Sequence, residues 1–572
     1  MPEHIVVIGA VAVGPKSACR FKRLCQDGEV TLIDQDEIIS YGGCGIPYYI
    51  SGDVSDESEL RSTSFHMVRD VQFFNDDKGV TALTSTRALK IDRKNKSVRV
   101  QQKDGSEKDI SYDKLVIGAG TQPRKLNIPG TNLKNIYSVG NMHDATRIKS
   151  KITAGEIEKA VVIGAGFIGL EMAEALADMW QIDTTVVEYF DHIMPGFVSN
   201  NLSRMAQAHM EEQGVTFYLS ESVEEIIGDD KVTAVKTNKR TIEADLVIMA
   251  VGIAPNTTLA QDAGLEVAPN GFIVVNERME TSDPDIYAGG DCVQIKNLIT
   301  GKPGFFPLGS MANRQGRVIG TNLAGGNAAF KGGVGSFVVK TFETAMAGAG
   351  LSVETALKEG FDAASVMIAQ FDRAHFYPDK EIIYLELVVD KTDRRVLGIQ
   401  GFGGVHSGMF ARINAVASIL QYHPTVDAIS NLELAYSPPF ASAMDAVNAL
   451  GNATENFLDG RYTPVEQSDF QELWNQRDTN ECFFLDCRAY ADAKVFEEKF
   501  PEIWKSIPHN ELHTRMDEVP KDKKLILVCN TGVRSYEAQV NLKARGFENT
   551  MSVGAGIASL KQIGLTFDPD SE

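Results

Sequence analysis

Short apolar runs followed by glycine-rich turns and helical patterns organise the first part of the chain. Residues 5–8 predict a strand, residues 9–14 predict a tight turn, and a helical pattern then extends to Leu24. Residues 30–33 predict the next strand, and Asp34 follows it where an acidic side chain accepts hydrogen bonds from an adenosine ribose. This order of elements predicts a βαβ nucleotide-binding unit.

The turn of this first unit departs from the usual glycine pattern. Gly9 and Gly14 are present, but Val11 stands where a second glycine normally lets a pyrophosphate approach the backbone. Two later apolar segments strengthen the interpretation, and they contain Gly120 and Asp291. We expect Asp291, which ends a predicted strand, to bind the ribityl or phosphate region of a flavin.

A second unit carries the complete fingerprint. After an apolar strand, the three glycines stand at their expected spacing, at Gly164, Gly166 and Gly169. A helical pattern follows, and the next strand ends in Glu188, whose carboxylate binds a free 2′-hydroxyl and repels a 2′-phosphate. The sequence therefore predicts FAD in the first unit and NADH, in preference to NADPH, in the second. Further candidate cofactor-binding residues are Glu171, Gly252 and Ala312.

Between the two units, Cys44 lies in the segment Ser-Tyr-Gly-Gly-Cys-Gly-Ile-Pro of residues 40–47. The flanking glycines leave the sulfur approachable, and a helix that follows Pro47 would direct its N-terminus at Cys44 and favour the thiolate. Because no second cysteine is near in the sequence, we expect its partner to be an external sulfur, or an oxygen as in a sulfenic acid. The alternative is a buried structural cysteine, and the nucleotide motifs on either side favour the redox interpretation.

Basic residues gather on and near the first helical pattern, at Lys16, Arg20, Lys22, Arg23 and Lys78. They form either a solvated helix face or, in this acidic chain, a site that holds a phosphorylated substrate near the reactive cysteine. The residues alone leave both interpretations open.

Beyond residue 330 the nucleotide fingerprints end and strands alternate with helices. Residues 398–404 predict a strand and turn, and residues 409–420 predict a helix. His423 is either an acid–base candidate or a structural residue at a helix end. We favour the structural interpretation because the nearby stretch Tyr-Ser-Pro-Pro of residues 436–439 supplies another proton donor.

A separate small α/β unit is predicted after a polar linker at residues 453–467. Strands are predicted over 483–488 and 524–528, and the second leads into Cys529 and then a helical pattern. The N–H groups of such a loop form a cradle for an anion, which stabilises a thiolate or a persulfide. Four residues separate Cys529 from Arg534, one fewer than in the loop of a phosphatase, which favours sulfur over phosphate. The alternative is an inert accessory domain.

Composition narrows the classes of function. The 572 residues exceed what one core accommodates, and the net charge of −21 argues against nucleic-acid binding. The seven cysteines show no CxxC spacing, so we expect no metal site and a reducing compartment. The sequence begins without a signal-peptide pattern and contains no run that would cross a bilayer, so we expect a cytoplasmic protein without a membrane span.

These residues resemble the coenzyme A disulfide reductase and NADH-dependent persulfide reductase family, the single-cysteine flavin disulfide reductases, fused to a rhodanese domain. The resemblance covers essentially the whole chain and implies that Cys44 is the redox cysteine. It also implies that Tyr436, donated by the partner subunit of a homodimer, and Tyr377 lie beside that cysteine. The residues that it implies for coenzyme A are Arg20, Arg23, Ser40, Lys78, Asn313 and Arg314.

The chain departs from the family pattern at three places. Gly43 stands where an asparagine is usual before the redox cysteine, and Val13 stands where a glycine is common. Residues 506–509 are only a remnant of the His-Ile-Pro-Gly-Ala segment of rhodanese domains.

The predicted fold is α/β and has four parts: two Rossmann-like nucleotide-binding domains, for FAD and NADH, an α+β dimerisation domain and a C-terminal rhodanese-like α/β domain. The predicted boundaries are 1–150 and 276–330 for the FAD domain, 151–275 for the NADH domain, 331–452 for the dimerisation domain and 468–572 for the rhodanese-like domain.

Our hypothesis is an NADH-dependent reductase of persulfide or polysulfide sulfur, such as coenzyme A persulfide, in which electrons pass through FAD to Cys44 and hydrosulfide is released. Cys529, with Arg534 beside it, delivers sulfane sulfur, and Tyr436 and Tyr377 protonate the leaving sulfur. The alternatives are a coenzyme A disulfide reductase with an accessory rhodanese domain, and an NADH oxidase that uses a Cys44 sulfenate. A redox-sensing or sulfur-carrying module is a further alternative, which the NADH fingerprint disfavours.

Overall fold

The apolar runs at the start of the chain form a parallel sheet in the computed structural model, which describes residues 4–479 and 481–565. Helix Val13–Leu24 connects the central strand, His4–Ile8, to its neighbour Glu29–Ile33, which confirms the predicted βαβ unit. Ile5 and Val6 are both fully buried, as in parallel sheets that are covered on both faces. The strand order is Ile286–Ala288, Lys114–Ile117, His4–Ile8, Glu29–Ile33 and Thr81–Leu83.

The second glycine fingerprint opens a second parallel sheet of the same design. Helix Phe167–Ala177 follows the central strand Lys159–Ile163 and leads to the neighbouring strand Asp183–Val187. The strand order is Thr216–Tyr218, Asp183–Val187, Lys159–Ile163, Leu246–Met249 and Ile136–Tyr137.

Smaller sheets and further helices complete this part of the chain. The strands of the smaller sheets are Arg87–Asp92, Ser97–Gln101 and Glu107–Ser111; Val223–Gly228, Val232–Thr237 and Thr241–Glu243; Thr121–Pro123 and Ile253–Pro255; and Ile273–Val274, Val293–Lys296 and Pro303–Gly304. The helices are Ile46–Ser51, Glu57–Arg61, Phe73–Asp77, Met142–Thr153, Thr258–Asp262 and Gly309–Leu323.

An antiparallel sheet begins after the second nucleotide-binding unit has ended. The predicted strand at 398–404 lies in Val396–Gly404, and the predicted helix at 409–420 is Met409–Leu420. The strand order is Phe337–Thr341, Thr344–Gly350, Val396–Gly404, Ile382–Asp390 and Ala363–Phe371. The accompanying helices are Val353–Glu359, Met409–Leu420, Val426–Ser430 and Ala446–Leu458.

The C-terminal sheet is again parallel. Its strand order is Pro464–Val465, Thr550–Val553, Lys524–Val528, Cys482–Asp486 and Trp504–Ser506, and its helices are Gln467–Asn475, Tyr490–Lys499, Val533–Lys543 and Gly556–Gln562. The connection to it is shorter than the predicted linker, because helix Ala446–Leu458 continues past residue 453 and Pro464–Val465 already pairs with Thr550–Val553.

The chain divides into two compact units. One extends to Tyr189 and continues over Val215–Gly333, and the other combines Phe190–Gly214 with the chain from Val334 onward. The helix Asn200–Glu212 therefore belongs with the antiparallel sheet, although the sequence placed it in the NADH domain. Its N-cap residue Ser199 bonds to the buried strand residues of that sheet, since its N–H donates to Gln400 Oε1 at 2.7 Å.

Among the described residues, no helix is both long enough and apolar enough to cross a membrane.

A buried ion pair stabilises the antiparallel unit, which consists of the antiparallel sheet and the helices that accompany it. The Arg412 guanidinium donates to both Asp445 carboxylate oxygens, at 2.8 to 3.1 Å, and to the Asp372 carbonyl at 2.6 Å. Asp445 also caps helix Ala446–Leu458, because its Oδ1 accepts the Val447 N–H at 2.9 Å. Both charged side chains are less than a tenth exposed. Each neutralises the charge of the other, which would be costly to bury alone.

Replacing Arg412 by leucine leaves the buried Asp445 charge without its cation. We expect the Arg412→Leu variant to lose about 3–5 kcal/mol in the free energy of unfolding of this unit, measured by urea denaturation with circular dichroism. Lys391→Ala is the matched control, because the Lys391–Asp362 pair of the same unit is about half exposed and contributes about 0–1 kcal/mol. Equal losses in the two variants would contradict the assigned role of Arg412.

Candidate active sites

The first glycine of each nucleotide fingerprint occupies the same backbone environment. Gly9 has φ +99° and Gly164 has φ +101°. A Cβ at Gly9 would lie 2.1 Å from the Gly118 carbonyl oxygen, and one at Gly164 would lie 2.5 Å from that of Ala250. Only glycine fits either position, since both the backbone conformation and the space exclude a side chain.

The other fingerprint glycines serve two different purposes: two of them allow a helix to pack closely on a strand, and one leaves space for a ligand. A Cβ at Gly14 would lie 1.9 Å from the Gly9 carbonyl oxygen, and one at Gly169 would lie 1.9 Å from that of Gly164, so these glycines bring helix and strand together. At Gly166 no atom lies within 4 Å of such a Cβ. This open space fits a pyrophosphate that approaches the backbone.

The acidic residue after the second strand of each unit folds back over the glycine turn. Asp34 accepts the Ala10 N–H at 2.7 Å, and Glu188 accepts the Ala165 N–H at 2.6 Å. Burial raises the pKa of the Asp34 carboxyl above its ordinary value. The two carboxylates therefore lie at equivalent edges of the two turns, the position that the ribose-binding acidic residue occupies in dinucleotide-binding folds.

The remaining cofactor candidates of the first unit meet at the carboxyl ends of its strands. The Gly118 N–H donates to the Ile8 carbonyl at 2.8 Å, and the Gly289 N–H donates to the Ile117 carbonyl at 3.1 Å. This places the segments of Gly120 and Asp291 beside the first glycine turn. The Ala312 side chain lies 3.9 Å from a Cβ built at Gly290, and Gly252 lies on another loop, where its carbonyl accepts the Arg124 N–H at 3.0 Å.

Cys44 has an exposed side chain in a tight turn, Gly43–Gly45, that leads directly into the short helix Ile46–Ser51. A second and longer helix also begins at the sulfur. A Cβ at Gly309, the first residue of Gly309–Leu323, would lie 3.8 Å from Cys44 Sγ, and the Gly309 N–H hydrogen bonds to the sulfur. The sequence predicted a helix N-terminus at Cys44, but it did not show that a helix from residue 309 provides one.

The expected effect of a helix N-terminus on the Cys44 pKa is present, but burial and neighbouring carboxylates outweigh it. Partial burial raises the pKa of the thiol, and the carboxylates of Glu171 and Asp291 raise it further. The N–H groups of Gly309 and of Cys44 itself oppose this rise without cancelling it. Burial also raises the pKa of Glu171 to about 7 and that of Asp291 to about 6, so the charge around the sulfur changes near neutral pH.

The candidate coenzyme A residues are arranged around the first helix and helix Gly309–Leu323. Built Cβ atoms at Gly316 and Gly320 would lie 2.8 Å and 2.7 Å from the Cβ atoms of Lys16 and Arg20, so the two helices pack closely there. Lys16, Arg23 and Lys78 all act electrostatically on Cys19, which places their cations on one side of the first helix.

Lys22 lies on the same helix, and its ammonium group has hydrogen-bond partners within the chain. Its Nζ donates to the Gly28 carbonyl at 2.9 Å, so it satisfies backbone groups beyond the helix end. Ser40 is buried, and its N–H donates to the Ala10 carbonyl at 2.7 Å. Asn313 and Arg314 are exposed on helix Gly309–Leu323, and the Asn313 amide donates to the Gly309 carbonyl at 2.8 Å.

The two candidate tyrosines lie on adjoining loops of the antiparallel unit. The Tyr377 N–H donates to the Ala374 carbonyl at 2.8 Å, and the Ala374 N–H donates to the Pro438 carbonyl at 3.2 Å. Tyr436 is 51% exposed. His423 is also exposed, in a turn that follows helix Met409–Leu420, where its N–H donates to the Leu420 carbonyl at 3.0 Å.

Cys529 lies in a buried anion cradle at the end of strand Lys524–Val528. Its Sγ accepts the N–H of Gly532 at 3.1 Å and the N–H of Ser535 at 3.4 Å, at the start of helix Val533–Lys543. The Ser535 hydroxyl is 3.3 Å from the sulfur. The predicted cradle is thus formed by backbone N–H groups and a helix N-terminus, which together stabilise negative charge on sulfur.

Hydroxyl groups behind Cys529 were missed by sequence reasoning. The Ser552 hydroxyl donates to Ser535 Oγ at 2.8 Å and also hydrogen bonds to Tyr462, which is buried. Burial and the neighbouring Cys529 raise the pKa of Tyr462. Residues 462 and 552 are far from Cys529 in the sequence, so only the sheet order brings them together.

Comparisons with known proteins identify the family. The pyridine nucleotide-disulphide oxidoreductase family matches residues 3–316, its dimerisation domain matches residues 336–447, and a rhodanese-like domain matches residues 469–562. The chain belongs to the pyridine nucleotide-disulphide oxidoreductases, flavin enzymes that use a pyridine nucleotide, and carries a C-terminal rhodanese-like domain.

Individual relatives are similar over most of the chain. An NAD(P)H sulfur oxidoreductase (CoA-dependent) of Pyrococcus abyssi is 34% identical over 78% of this chain and 97% of its own length. An NADH oxidase of Methanocaldococcus jannaschii is 32% identical over 78% of this chain and 99% of its own. The structure of an NAD-dependent persulfide reductase from A. fulgidus matches with a TM-score of 0.92 and 38% identity over 97% of this chain and 99% of that one.

These relatives confirm the resemblance to coenzyme A disulfide reductases and persulfide reductases. They also confirm the α/β fold with its dimerisation and rhodanese-like domains.

Removing the Glu171 charge should make Cys44 more reactive. Because the ionised carboxylate raises the thiol pKa, Glu171→Gln lowers it and increases the thiolate fraction at a given pH. We expect iodoacetamide to alkylate Cys44 in the reduced enzyme about threefold faster at pH 8. The two rates should converge near pH 6, where Glu171, with its pKa of about 7, is already protonated. Glu37→Gln, at a 61% exposed carboxylate, is the control, and an unchanged rate in Glu171→Gln at pH 8 would refute the assignment.

Proposed function

We propose that this enzyme is an NADH-dependent reductase of persulfide or polysulfide sulfur, such as coenzyme A persulfide, which releases hydrosulfide through Cys44. The observation that carries the proposal is the exposed Cys44 thiol in the fold of a flavin enzyme. Its sulfur accepts a hydrogen bond from the N–H at the N-terminus of a helix. A sulfur-directed reaction needs an accessible single thiol that can form and release a mixed disulfide.

The residues present fit both cofactors. FAD would be held by Gly9, Gly14, Asp34, Gly120, Asp291 and Ala312, with Val11 in the turn, and NADH by Gly164, Gly166, Gly169, Glu171, Glu188 and Gly252. When they are bound, NADH and FAD together supply two electrons to a sulfur at Cys44. The chain's own contributions are the two glycine turns, the ribose-facing carboxylates and the thiol.

The Cys44 thiolate attacks the inner sulfur of a persulfide R–S–SH. A bond forms between Cys44 Sγ and that sulfur, the bond to the terminal sulfur breaks, and the terminal sulfur leaves as hydrosulfide. The mixed disulfide is then reopened with two electrons, which returns the Cys44 thiolate and releases R–SH. The Gly309 N–H stabilises the thiolate in both halves of the cycle.

Proton transfer to the leaving sulfur is assigned to Tyr436 and Tyr377. The partner subunit of a homodimer would bring them to Cys44, and the matched dimerisation domain supports such a dimer. Phe376, Phe440 and Met444 near these tyrosines are more than half exposed, as expected of side chains that a second subunit covers.

The helix Gly309–Leu323 supports coenzyme A as the thiol carrier. It begins at Cys44 and packs against Lys16 and Arg20 about two and three turns later, about 10–16 Å along its axis. The arm that joins the thiol of coenzyme A to its phosphates has a comparable extended length. Arg20, Arg23 and Lys78 would bind the phosphates, and Ser40, Asn313 and Arg314 would line the path.

The rhodanese-like domain supplies sulfane sulfur in this proposal. The N–H groups that surround Cys529 Sγ favour a persulfide anion, and Arg534 at the start of the following helix adds a positive charge.

Two alternative activities have specific support. The basic residues beside helix Gly309–Leu323 also suit coenzyme A disulfide, and comparing NADH consumption with coenzyme A disulfide and with coenzyme A persulfide separates these substrates. The exposure of Cys44 also suits a sulfenate that handles oxygen, as in an NADH oxidase. Rapid NADH consumption under air, without a sulfur acceptor, would favour that alternative.

Substitutions at the two cysteines test the division of roles. Cys44→Ser removes the attacking thiol, so we expect NADH-driven hydrosulfide release from small persulfides to fall by about 10³-fold or more. Cys529→Ser should leave this activity intact while it abolishes labelling of the rhodanese-like domain by sulfane sulfur. Unchanged turnover in Cys44→Ser would defeat the proposal.

Replacing Glu188 tests the choice of nucleotide. Glu188→Gln keeps an acceptor for the Ala165 N–H but removes the charge that repels a 2′-phosphate. We expect the ratio of kcat/KM for NADH to that for NADPH to fall about tenfold. Asp183→Asn, on the exposed start of the same strand, is the control. A ratio that stays unchanged in Glu188→Gln would remove Glu188 from nucleotide selection.

A further inference from the structure

Cys487 is a second cysteine beside the Cys529 cradle. Strands Cys482–Asp486 and Lys524–Val528 pair in parallel, with Asp486 opposite Val528. The Cys487 N–H donates to the Val528 carbonyl at 2.8 Å, which is the last bond of this ladder. Cys487 and Cys529 therefore directly follow the last pair of two strands that lie about 4.8 Å apart.

The two cysteines also lie on the same face of the sheet. Side chains alternate along a strand, and Leu485 and Cys487 pack in one buried cluster with Leu527 and Cys529. Cys482, on the same strand as Leu485, packs in the cluster on the opposite face. Cross-strand neighbours on one face have a Cα separation within the range of about 4.4–6.8 Å that disulfides span.

The two thiols differ in their surroundings. Cys529 Sγ accepts hydrogen bonds from two backbone N–H groups. Cys487, by contrast, is fully buried, and its Sγ lies 3.9 Å from the Leu485 carbonyl oxygen. Burial raises the pKa of Cys487 well above its ordinary value, and the neighbouring Cys529 and Asp486 add to the rise, while Arg534 opposes it. Cys487 thus lies in an apolar environment, in the same buried cluster as a cysteine whose surroundings stabilise an anion.

The geometry points to Cys487 as a resolving cysteine for a persulfide carried by Cys529, an inference that rests on the proposed role of Cys529 as a sulfur carrier. Cys487 Sγ bonds to Cys529 Sγ while the bond from Cys529 Sγ to the terminal sulfur breaks. The terminal sulfur takes the Cys487 proton and leaves as hydrosulfide. Its two electrons come from the Cys487 thiol, and a Cys487–Cys529 disulfide remains.

Two molecules of a low-molecular-weight thiol of the coenzyme A class reopen this disulfide. Thiol–disulfide exchange returns Cys487 and Cys529 as thiols and joins the two small thiols in a disulfide of their own. That product is the kind of substrate that a thiol such as Cys44 accepts, so NADH would supply the electrons for hydrosulfide release at both cysteine sites. Sulfur that reaches Cys529 then need not be passed to Cys44 as a persulfide.

A single-turnover experiment on the full-length holoenzyme tests this inference. The Cys44→Ser background removes the other release route. The protein is loaded with inorganic polysulfide, freed of excess reagent without oxygen and without NADH, and assayed for hydrosulfide. Peptides are then mapped by mass spectrometry without reduction. We expect about one hydrosulfide per chain, together with a peptide cross-link between Cys487 and Cys529.

Cys487→Val, of similar volume, should lower this release at least about tenfold and leave the persulfide on Cys529. Cys487→Ser gives a second variant, with a hydroxyl that cannot form the disulfide. Cys482→Ala is the matched control, since it removes a buried cysteine of the same strand from the opposite face.

The outcomes separate the two proposals. A persulfide on Cys529 without a cross-link in the Cys44→Ser protein, or equal release in Cys487→Val, overturns the resolving role and leaves the carrier role of Cys529 intact. No persulfide on Cys529 in any variant, and no cross-link, overturns both.

Discussion

The contact between the N-terminus of helix Gly309–Leu323 and the Cys44 sulfur is the constraint on which the first site depends. The Gly309 N–H favours negative charge on the thiol, while burial and the carboxylates of Glu171 and Asp291 disfavour it. Because the pKa values of these carboxyls are raised to about 7 and about 6, their effect on the ionisation of the Cys44 thiol changes within the physiological range of pH. The thiol is accessible to a substrate, but its ionisation depends on groups from two other segments.

Backbone N–H groups also donate to the sulfur of Cys529, but that side chain is much less exposed than Cys44. There the N–H groups of Gly532 and Ser535 point at the sulfur, and the side chain is almost fully buried. An exposed thiol suits exchange with a large carrier such as coenzyme A, whereas a buried cradle suits a small terminal sulfur. In the proposed cycle, the two cysteines differ in exposure rather than in the kind of group that stabilises their charge.

The two nucleotide-binding units share the same backbone conformation at the first glycine of the turn. Gly9 and Gly164 meet the same steric limit, and Asp34 and Glu188 fold over their turns in the same way. The units differ at the middle position, where Gly166 leaves open space and Val11 carries a side chain. In our proposal, the neighbouring loops that contain Gly120 and Asp291 complete the binding site of the first unit.

Local patterns in the sequence determined the elements and the identity of the reactive groups. Apolar runs, glycine spacing and helix patterns predicted the strands His4–Ile8 and Lys524–Val528 to within a residue, because these signals depend on neighbours along the chain. They also identified the Cys44 turn and the Cys529 loop.

Only the tertiary structure decided which distant groups face those sulfurs. Glu171, Asp291 and Gly309 converge on Cys44, and Cys487 becomes the neighbour of Cys529 through the order and register of strands. The sign of a pKa shift and the partner of a thiol depend on packing between segments far apart in the chain, which no local pattern records.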